Sequence, residues 1–158
     1  VGQVTDDDAL RFWAYGSAAR ILCTAREDGS LPQETKRGKW GLHYQLHAIA
    51  PLVAIAAHGA ADGVPLTGMC AGALERVVTF ALDDLEAEGA ATQAYAGAPQ
   101  TFFDGTQELG AHAMAWLPAY LDLTGDPKAA RVAAGYERLI NSKLGGDQWL
   151  LWPGGEVI

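Results

Sequence analysis

The sequence has few basic residues, no long apolar run and no cysteine pattern typical of a metal site. Lysine and arginine number 11 against 19 aspartates and glutamates, giving a net charge of −8 over 158 residues. This balance argues against a nucleic-acid-binding protein, because such proteins gain most of their affinity by neutralising phosphates. No apolar segment approaches the roughly 18 residues that a membrane-spanning helix needs, so we expect no membrane partner.

The first residues also lack features that mark a secreted precursor. No basic stretch followed by an apolar segment precedes the acidic run at residues 6–8, so no signal peptide is visible. The chain does not begin with methionine, and we expect it to start after a processed or truncated N-terminus.

Cysteine is scarce as well. Cys23 and Cys70 lie 47 positions apart in segments that we interpret as helices, without a CxxC or other metal-binding spacing. We expect two buried thiols that behave as small hydrophobic side chains. A disulfide is the alternative, and it requires an oxidising compartment.

Helix-forming residues, in contrast, are abundant, and glycine and proline clusters separate them at intervals. We predict a single all-α domain over residues 1–158. Asp7 or Asp8 is the expected N-cap of the first helix, and Asp126 with Pro127 marks the start of the last. The tail from Gly145 is expected to be a docked, extended segment. The predicted helices cover residues 8–26, 39–58, 67–88, 106–123 and 127–142.

The second predicted helix begins within the stretch RGKWGLHYQLH, residues 37–47. Arg37 and Tyr44 are seven positions apart, which places them on one line of a helix if Arg37 lies in its first turn. The later part of this helix is apolar on all sides, which indicates burial, so we expect its polar start to face a cavity. One apolar stripe at helical spacing comprises Leu42, Leu46, Ile49, Val53 and Ala56.

Three interpretations of this stretch stay open from the residues alone. In the first, Arg37 and Lys39 form a solvated helix start, and Trp40 and Tyr44 are amphipathic side chains at its rim. His43 and His47 have the i, i+4 spacing of a zinc-binding helix, but Tyr44 stands where that motif requires glutamate. The third interpretation is acid–base chemistry on a uronate. Arg37 would neutralise the carboxylate through its planar fork, and a tyrosine near this cation would move the acidified α-proton.

The segment from Asp28 to Ala56 resembles the motif of the alginate lyase family, the mannuronate-type lyases of the α/α-toroid class. It carries D-G-x-L-P-x-E-x-x-R-G, followed by L-H-Y and then P-L at residues 51–52. Weaker echoes occur at residues 115–127 and 144–152. The resemblance covers nearly the whole chain but only the C-terminal half of a family domain.

This resemblance implies an incomplete (α/α) toroid of antiparallel helical hairpins and a lyase that cleaves an acidic uronate polymer, alginate or polymannuronate, by β-elimination. Tyr44 would be the catalytic base and acid, and Arg37 would hold the substrate. No metal or organic cofactor is expected, and the family resemblance favours a periplasmic or secreted protein. The residues expected to contact substrate are His43, Lys39, Trp40, His47, Lys36 and Gln45.

Two departures from the family pattern qualify the expected function. Members commonly carry histidine where this chain has Gln45, which leaves another polyuronate such as glucuronan open as the substrate. The family also pairs its tyrosine with an Asn-His on an earlier helix, but the single asparagine here, Asn141, is followed by Ser142. We therefore expect the missing N-terminal half of the domain to be a partner. The alternative is a non-catalytic carbohydrate-binding helical module.

Overall fold

The computed structural model describes residues 1–155 and confirms the all-α prediction. Its strands, β1 (Ile140–Asn141) and β2 (Gly146–Asp147), form one short antiparallel hairpin. Short 3₁₀ turns at Gly38–Trp40 and Ala111–Ala113 lie near the candidate site. The α-helices are α1 (Asp8–Leu22), α2 (Pro32–Thr35), α3 (Gly41–Ala61), α4 (Met69–Glu86), α5 (Ala90–Ala96), α6 (Leu117–Thr124), α7 (Pro127–Ala133) and α8 (Gln148–Leu151).

Aspartate caps begin two of these helices where the sequence predicted them. Asp7 accepts a hydrogen bond from the backbone N–H of Leu10 at 3.1 Å. Asp126 accepts bonds from the first turn of α7, in which Pro127 is the first residue. Both caps satisfy backbone donors that a helix start leaves without partners. The predicted ends were wrong, because α1 ends at residue 22 and α7 at residue 133, before the β hairpin.

Helix α3 is the central element, in contact with α1, α4 and α6. The predicted apolar stripe from Leu42 to Ala56 is buried along its whole length. From Leu46 onward the stripe shares one core with Val77 and Val78 of α4 and with Trp116, the residue before α6. Within the part of the chain that the structure describes, neither α3 nor any other helix combines the length and apolarity needed to cross a bilayer.

Two other helix predictions were wrong, for identifiable local reasons. The predicted helix over 106–123 is helical only in the turn at 111–113 and in α6, because Asp104 accepts the N–H of Thr106 in a tight turn that competes with helix. Helix α5 lies between the predicted helices, in a segment rich in glycine and alanine whose composition predicts a connecting loop. The carboxylate of buried Asp84 accepts the N–H groups of Ala91 and Thr92 and so stabilises this helix start.

Aromatic residues of α1 divide between core and surface. Their residue types predict a core position for Tyr15, Trp13 and Phe12. Tyr15 is buried, but Phe12 and Trp13 are 67% and 72% exposed. The prediction is wrong for these two because α1 turns only one face toward α3 and α4. The opposite face presents large apolar side chains to solvent.

The two cysteines are joined to each other rather than buried as thiols. Cys23, at the end of α1, forms a disulfide with Cys70 across a Cα–Cα distance of 5.3 Å. Both residues are exposed, so the prediction of two buried thiols was wrong. The bond ties the end of α1 to the first turn of α4, where Cys70 and Ala71 have positive φ angles.

Removal of this disulfide is expected to destabilise the fold. The bond closes a loop with a sequence separation of 47, and chain-entropy arguments for such a loop give about 4 kcal/mol. The double variant Cys23→Ser/Cys70→Ser should lose about that free energy of unfolding in urea titration. Added reductant should destabilise the native protein but leave the double variant unchanged. Equal stability of the two proteins under oxidising conditions would contradict the expectation.

Candidate active site

Arg37 and Tyr44 meet at the start of α3. The Arg37 guanidinium carbon lies 4.3 Å from the centroid of the Tyr44 ring, a stacked cation–π geometry. Arg37 precedes the 3₁₀ turn rather than lying in α3, so the two residues meet without sharing one helical line. Its Nε contacts Glu34 Oε2 at 2.9 Å and donates to the carbonyl of Gln33 at 3.1 Å. These two contacts hold the Arg37 guanidinium through its Nε edge.

Rings from the first turns of α3 surround this pair. His43 packs edge-to-face against Trp40 and Tyr44, with centroid distances of 5.3 Å to each. The His47 ring lies 4.4 Å from that of His43. Lys39 Nζ lies 5.6 Å from the Trp40 ring. The structure thus gathers five of the predicted substrate-contacting or catalytic side chains next to Arg37, and their individual roles remain predictions.

Both imidazoles of this cluster are disfavoured as cations. Burial lowers the pKa of His43, and the nearby His47 and His112 lower it further. Burial also lowers the pKa of His47, with additional repulsion from Lys143 and His112. A lowered pKa means that protonation requires a more acidic solution than for an ordinary histidine. At neutral pH the cluster therefore offers neutral imidazole rings beside the basic side chains of Arg37 and Lys39.

A cleft of about 600 Å³ opens on the far side of His47. His112 and Asn141 are joined at its wall, where the Asn141 amide donates to the His112 carbonyl at 3.0 Å. Lys143 follows in the turn between β1 and β2. Sequence spacing did not identify Lys143, because the hairpin brings it to α3 only in the folded chain. The cleft combines a cation and imidazoles with the apolar side chains of Ala50, Pro51, Ile140 and Leu144.

The first turn of α3 is positioned by a close approach at Gly41. A Cβ atom at this position would lie 2.6 Å from Thr92 Cγ2 and 2.9 Å from the Thr35 carbonyl oxygen. The Gln100 side chain then reaches the helix start, and its Oε1 accepts the N–H of Leu42 at 2.9 Å. Glycine therefore permits the contact that fixes the base of the candidate site.

Two predicted substrate contacts are not part of the ring cluster. Gln45 is fully buried, and its Oε1 accepts the Leu31 N–H at 2.9 Å while its Nε2 donates to the Gly29 carbonyl at 3.2 Å. Both ends of the Gln45 amide thus serve the backbone of the preceding loop, which favours a structural role over the predicted substrate contact. Lys36 is exposed at the end of α2 and makes no hydrogen bond or ion pair with the cluster within residues 1–155.

The ring cluster around Arg37 and Tyr44 does not have the side chains of a metal-binding site. Across residues 1–155, no three histidine, cysteine, aspartate or glutamate side chains converge in a way that could hold a metal ion. The His43–His47 pair is accompanied instead by aromatic rings and amides. The arrangement suits proton transfer and anion binding by the protein's own side chains.

Comparisons with known proteins agree on one family. The family model described as alginate lyase matches residues 1–92. A protein named polysaccharide lyase from Stenotrophomonas maltophilia (strain K279a) is 49% identical over 57 residues, which are 35% of this chain and 17% of that protein. The crystal structure of alginate lyase A1-III from Sphingomonas species A1 superposes with a TM-score of 0.81 at 23% identity, over 96% of this chain and 42% of that one. The fold is thus that of an (α/α) toroid, and the chain spans less than half the length of either relative.

Replacement of Gln45 distinguishes a structural role from a substrate contact. Gln45→Leu would leave the buried Leu31 N–H and Gly29 carbonyl without partners, at a cost of about 1–3 kcal/mol for each unsatisfied group. We expect a lower midpoint of urea unfolding, and binding of acidic oligosaccharides should persist in the folded fraction. An unchanged unfolding midpoint together with weakened binding would restore Gln45 as a substrate contact.

Proposed function

Because the chain belongs to the alginate lyase family, we propose that it forms part of a polysaccharide lyase that cleaves an acidic uronate polymer by β-elimination. Polymannuronate is the proposed substrate and glucuronan the nearest alternative. Tyr44 is the proposed proton-transfer residue, and Arg37 binds the carboxylate of the sugar that reacts. The stacked Arg37–Tyr44 pair is the observation that carries this proposal.

The contacts of Arg37 suit carboxylate binding beside the tyrosine. Glu34 and the Gln33 carbonyl engage only Nε, and within residues 1–155 the terminal nitrogens make no further hydrogen bond. These two nitrogens form the fork that binds a carboxylate in bidentate fashion. The guanidinium also keeps its position over the Tyr44 ring. A bound carboxylate would therefore lie close to the tyrosine.

The reaction follows from this placement. Neutralisation of the carboxylate by Arg37 makes the C5 hydrogen of the uronate more acidic. The deprotonated Tyr44 oxygen accepts the C5 proton, and the C–H electron pair forms the C4–C5 double bond as the C4–O bond breaks. The departing O4 then takes the proton from Tyr44. The tyrosine returns to its initial state, and the product carries an unsaturated end.

Neighbouring side chains supply the proposed groove for the polymer. Trp40 and Lys39 offer a ring face and a cation on one side of Tyr44, where a sugar and its carboxylate fit. His47 connects Tyr44 to the cleft that contains Lys143. We propose that this cleft accepts a further uronate unit of the polymer.

We further propose that this chain works together with an N-terminal half of its own domain, which would supply the Asn-His pair. The exposed Phe12 and Trp13 on α1 support this, because monomeric proteins rarely leave contiguous large apolar side chains in water. A periplasmic or secreted location is proposed as well. The exposed Cys23–Cys70 disulfide is consistent with such an oxidising compartment.

Substitution of Tyr44 tests the proposed function. Polymannuronate, polyguluronate and glucuronan would be offered separately to the chain alone and to the chain joined to the sequence encoded on its N-terminal side. Formation of the unsaturated product would be followed by ultraviolet absorbance. We expect turnover only in the extended protein, and Tyr44→Phe should reduce kcat by about 10²- to 10⁴-fold, the range that acid–base groups contribute.

A second stacked pair in the same chain provides the control. Arg26 lies 4.2 Å from the centroid of the Tyr95 ring, and the Tyr95 hydroxyl donates to Asp28 Oδ2 at 2.6 Å. Tyr95→Phe therefore removes a hydroxyl from a second arginine-stacked ring outside the proposed site. This variant should retain turnover. An extended protein that binds one of the polymers without cleaving it would overturn the lyase proposal in favour of a carbohydrate-binding module.

The cleft beside His47 gives a separate expectation about affinity. Lys143→Gln should raise KM for the polymer by roughly two- to fivefold, the worth of one exposed charge pair, with kcat nearly unchanged. The effect should shrink as salt is added, because exposed charges are screened. Arg131→Gln, which removes an exposed cation on α7, is the control. An equal effect of both variants would show general electrostatic attraction rather than a subsite.

A further inference from the structure

Gln107 contacts the His43 ring from outside α3. Its side-chain nitrogen lies 2.9 Å from His43 Nδ1, and Gln107 itself belongs to the irregular segment between α5 and the 3₁₀ turn at 111–113. Within residues 1–155 this is the single hydrogen bond that the His43 ring makes. The other ring nitrogen, Nε2, is thus left for a molecule outside the described chain.

The amide of Gln107 is itself held by buried groups. Thr101 is fully buried, and its hydroxyl donates to Gln107 Oε1 at 2.8 Å. The Gln107 N–H donates to the Thr101 carbonyl at 3.1 Å, and the Thr101 N–H donates to the carbonyl of Lys39 at 2.9 Å. These bonds attach Gln107 to the turn that carries Lys39 and Trp40 and so fix its amide relative to the ring cluster.

The orientation of this amide determines where the proton of His43 resides. With Oε1 occupied by the Thr101 hydroxyl, the NH₂ group of Gln107 faces the ring and donates to Nδ1. A neutral imidazole that accepts at Nδ1 carries its proton on Nε2. We propose that Gln107 is a positioning residue that holds His43 as the neutral Nε2–H tautomer and so presents this N–H to a uronate oxygen beside Tyr44. This inference rests on the proposed function.

The charges around His43 favour the same state. His47 on α3 and His112 in the turn at 111–113 both oppose a positive charge on the ring, and burial adds to their effect. Arg37 and Lys39 place further cations at the start of the helix. The acidic Asp104 of the neighbouring segment interacts with Lys39. The lowered pKa of His43 is therefore compatible with a neutral hydrogen-bond donor at neutral pH.

A neutral donor suits a substrate whose carboxylate already meets Arg37. A protonated imidazole at this position would change its protonation or its hydration during each turnover. A neutral N–H that is already in place can donate to the substrate oxygen without such a change. The ring is also held against Trp40 and Tyr44. Gln107 completes this constraint by fixing the rotation of the ring about its own axis.

The tautomer can be read directly from the ring nitrogens. Long-range ¹H–¹⁵N spectra of the extended protein should show the Nε2–H form for His43. Gln107→Glu places an acceptor at Nδ1 and should reverse the tautomer and raise the pKa of His43. Gln107→Leu should abolish the preference. Gln93→Glu, an exposed position on α5, adds the same charge elsewhere and should change neither property.

Kinetics then connect the ring to the reaction. Gln107→Leu should lower kcat by roughly 10- to 100-fold with little change in KM, as expected for a misplaced group. Gln107→Glu should move the acid limb of the pH–rate profile to higher pH, because a raised pKa of His43 means that the ring is protonated earlier on acidification. Gln93→Glu should leave the profile in place.

The outcomes that overturn the proposal are distinct. An unaltered His43 spectrum in folded Gln107→Glu would overturn the hydrogen-bond role. A reversed tautomer with an unmoved pH–rate profile would overturn the positioning role and leave the lyase proposal intact. If the unmodified extended protein cleaves none of the three polymers, the proposed function fails and the positioning role fails with it.

Discussion

The candidate site depends on how the first turn of α3 is held, and a distant glutamine holds it. Trp40, at the N-cap position, provides no side-chain cap. Gln100 takes over this task, because its Oε1 accepts the Leu42 N–H while its Nε2 donates to the carbonyls of Gly38 and Ala98 at 3.3 and 2.8 Å. A helix start without a cap leaves backbone donors unsatisfied. The long-range amide removes that cost and fixes the segment that carries the ring cluster.

Gln45 performs the corresponding task one turn later, on the buried side of α3. Its amide binds the loop before α2 and extends to the Val77 carbonyl of α4 at 3.4 Å. Gly29 allows this packing, since a Cβ there would fall 1.9 Å from the Arg76 carbonyl oxygen. The segment that runs from Gly29 through α2 to Arg37 is therefore anchored against the buried side of α3. Gln45 and Gln100 together position the Arg37–Tyr44 pair.

Local patterns predicted the parts of this arrangement that depend on neighbours in sequence. The burial of the stripe from Leu42 to Ala56 followed from helical periodicity, and the caps at Asp7 and Asp126 followed from residue type. Gln100 and Gln107 could not be identified in this way, because their partners on α3 lie 58 and 64 positions away. The burial of Gln45 is a related case. It follows Tyr44 in sequence, but successive residues of a helix point about 100° apart, and its side chain lies on the buried side of α3.

The same limit explains the errors in helix prediction. Helix α5 is short, rich in alanine and flanked by Gly89 and Gly97. Its start depends on the buried carboxylate of Asp84, which its own sequence does not reveal. The segment after it contains helix formers but is committed to contacts with α3 through Thr101 and Gln107. Tertiary hydrogen bonds thus override local propensity on both sides of Gly97.

The net charge of −8 is unevenly distributed, and several acidic side chains are paired with basic ones. Lys128 pairs with Asp83 and Glu86, and Arg11 pairs with Asp6 and Asp8, away from the site. These pairs account for acidic side chains that would otherwise repel a polyanion at longer range. At the site, in contrast, Glu34 is the acid in contact with Arg37, and it occupies one edge of the guanidinium.

The remaining positive charge at the site does not depend on the histidines. Burial and nearby positive charges lower the pKa of both His43 and His47, so the basic side chains of the site are those of Arg37, Lys39 and Lys143. Attraction for a carboxylate polymer therefore does not require a positive charge on either imidazole. A site that used its histidines for charge would lose them as hydrogen-bond acceptors. The separation of the two tasks lets one short stretch of chain provide both anion binding and proton chemistry.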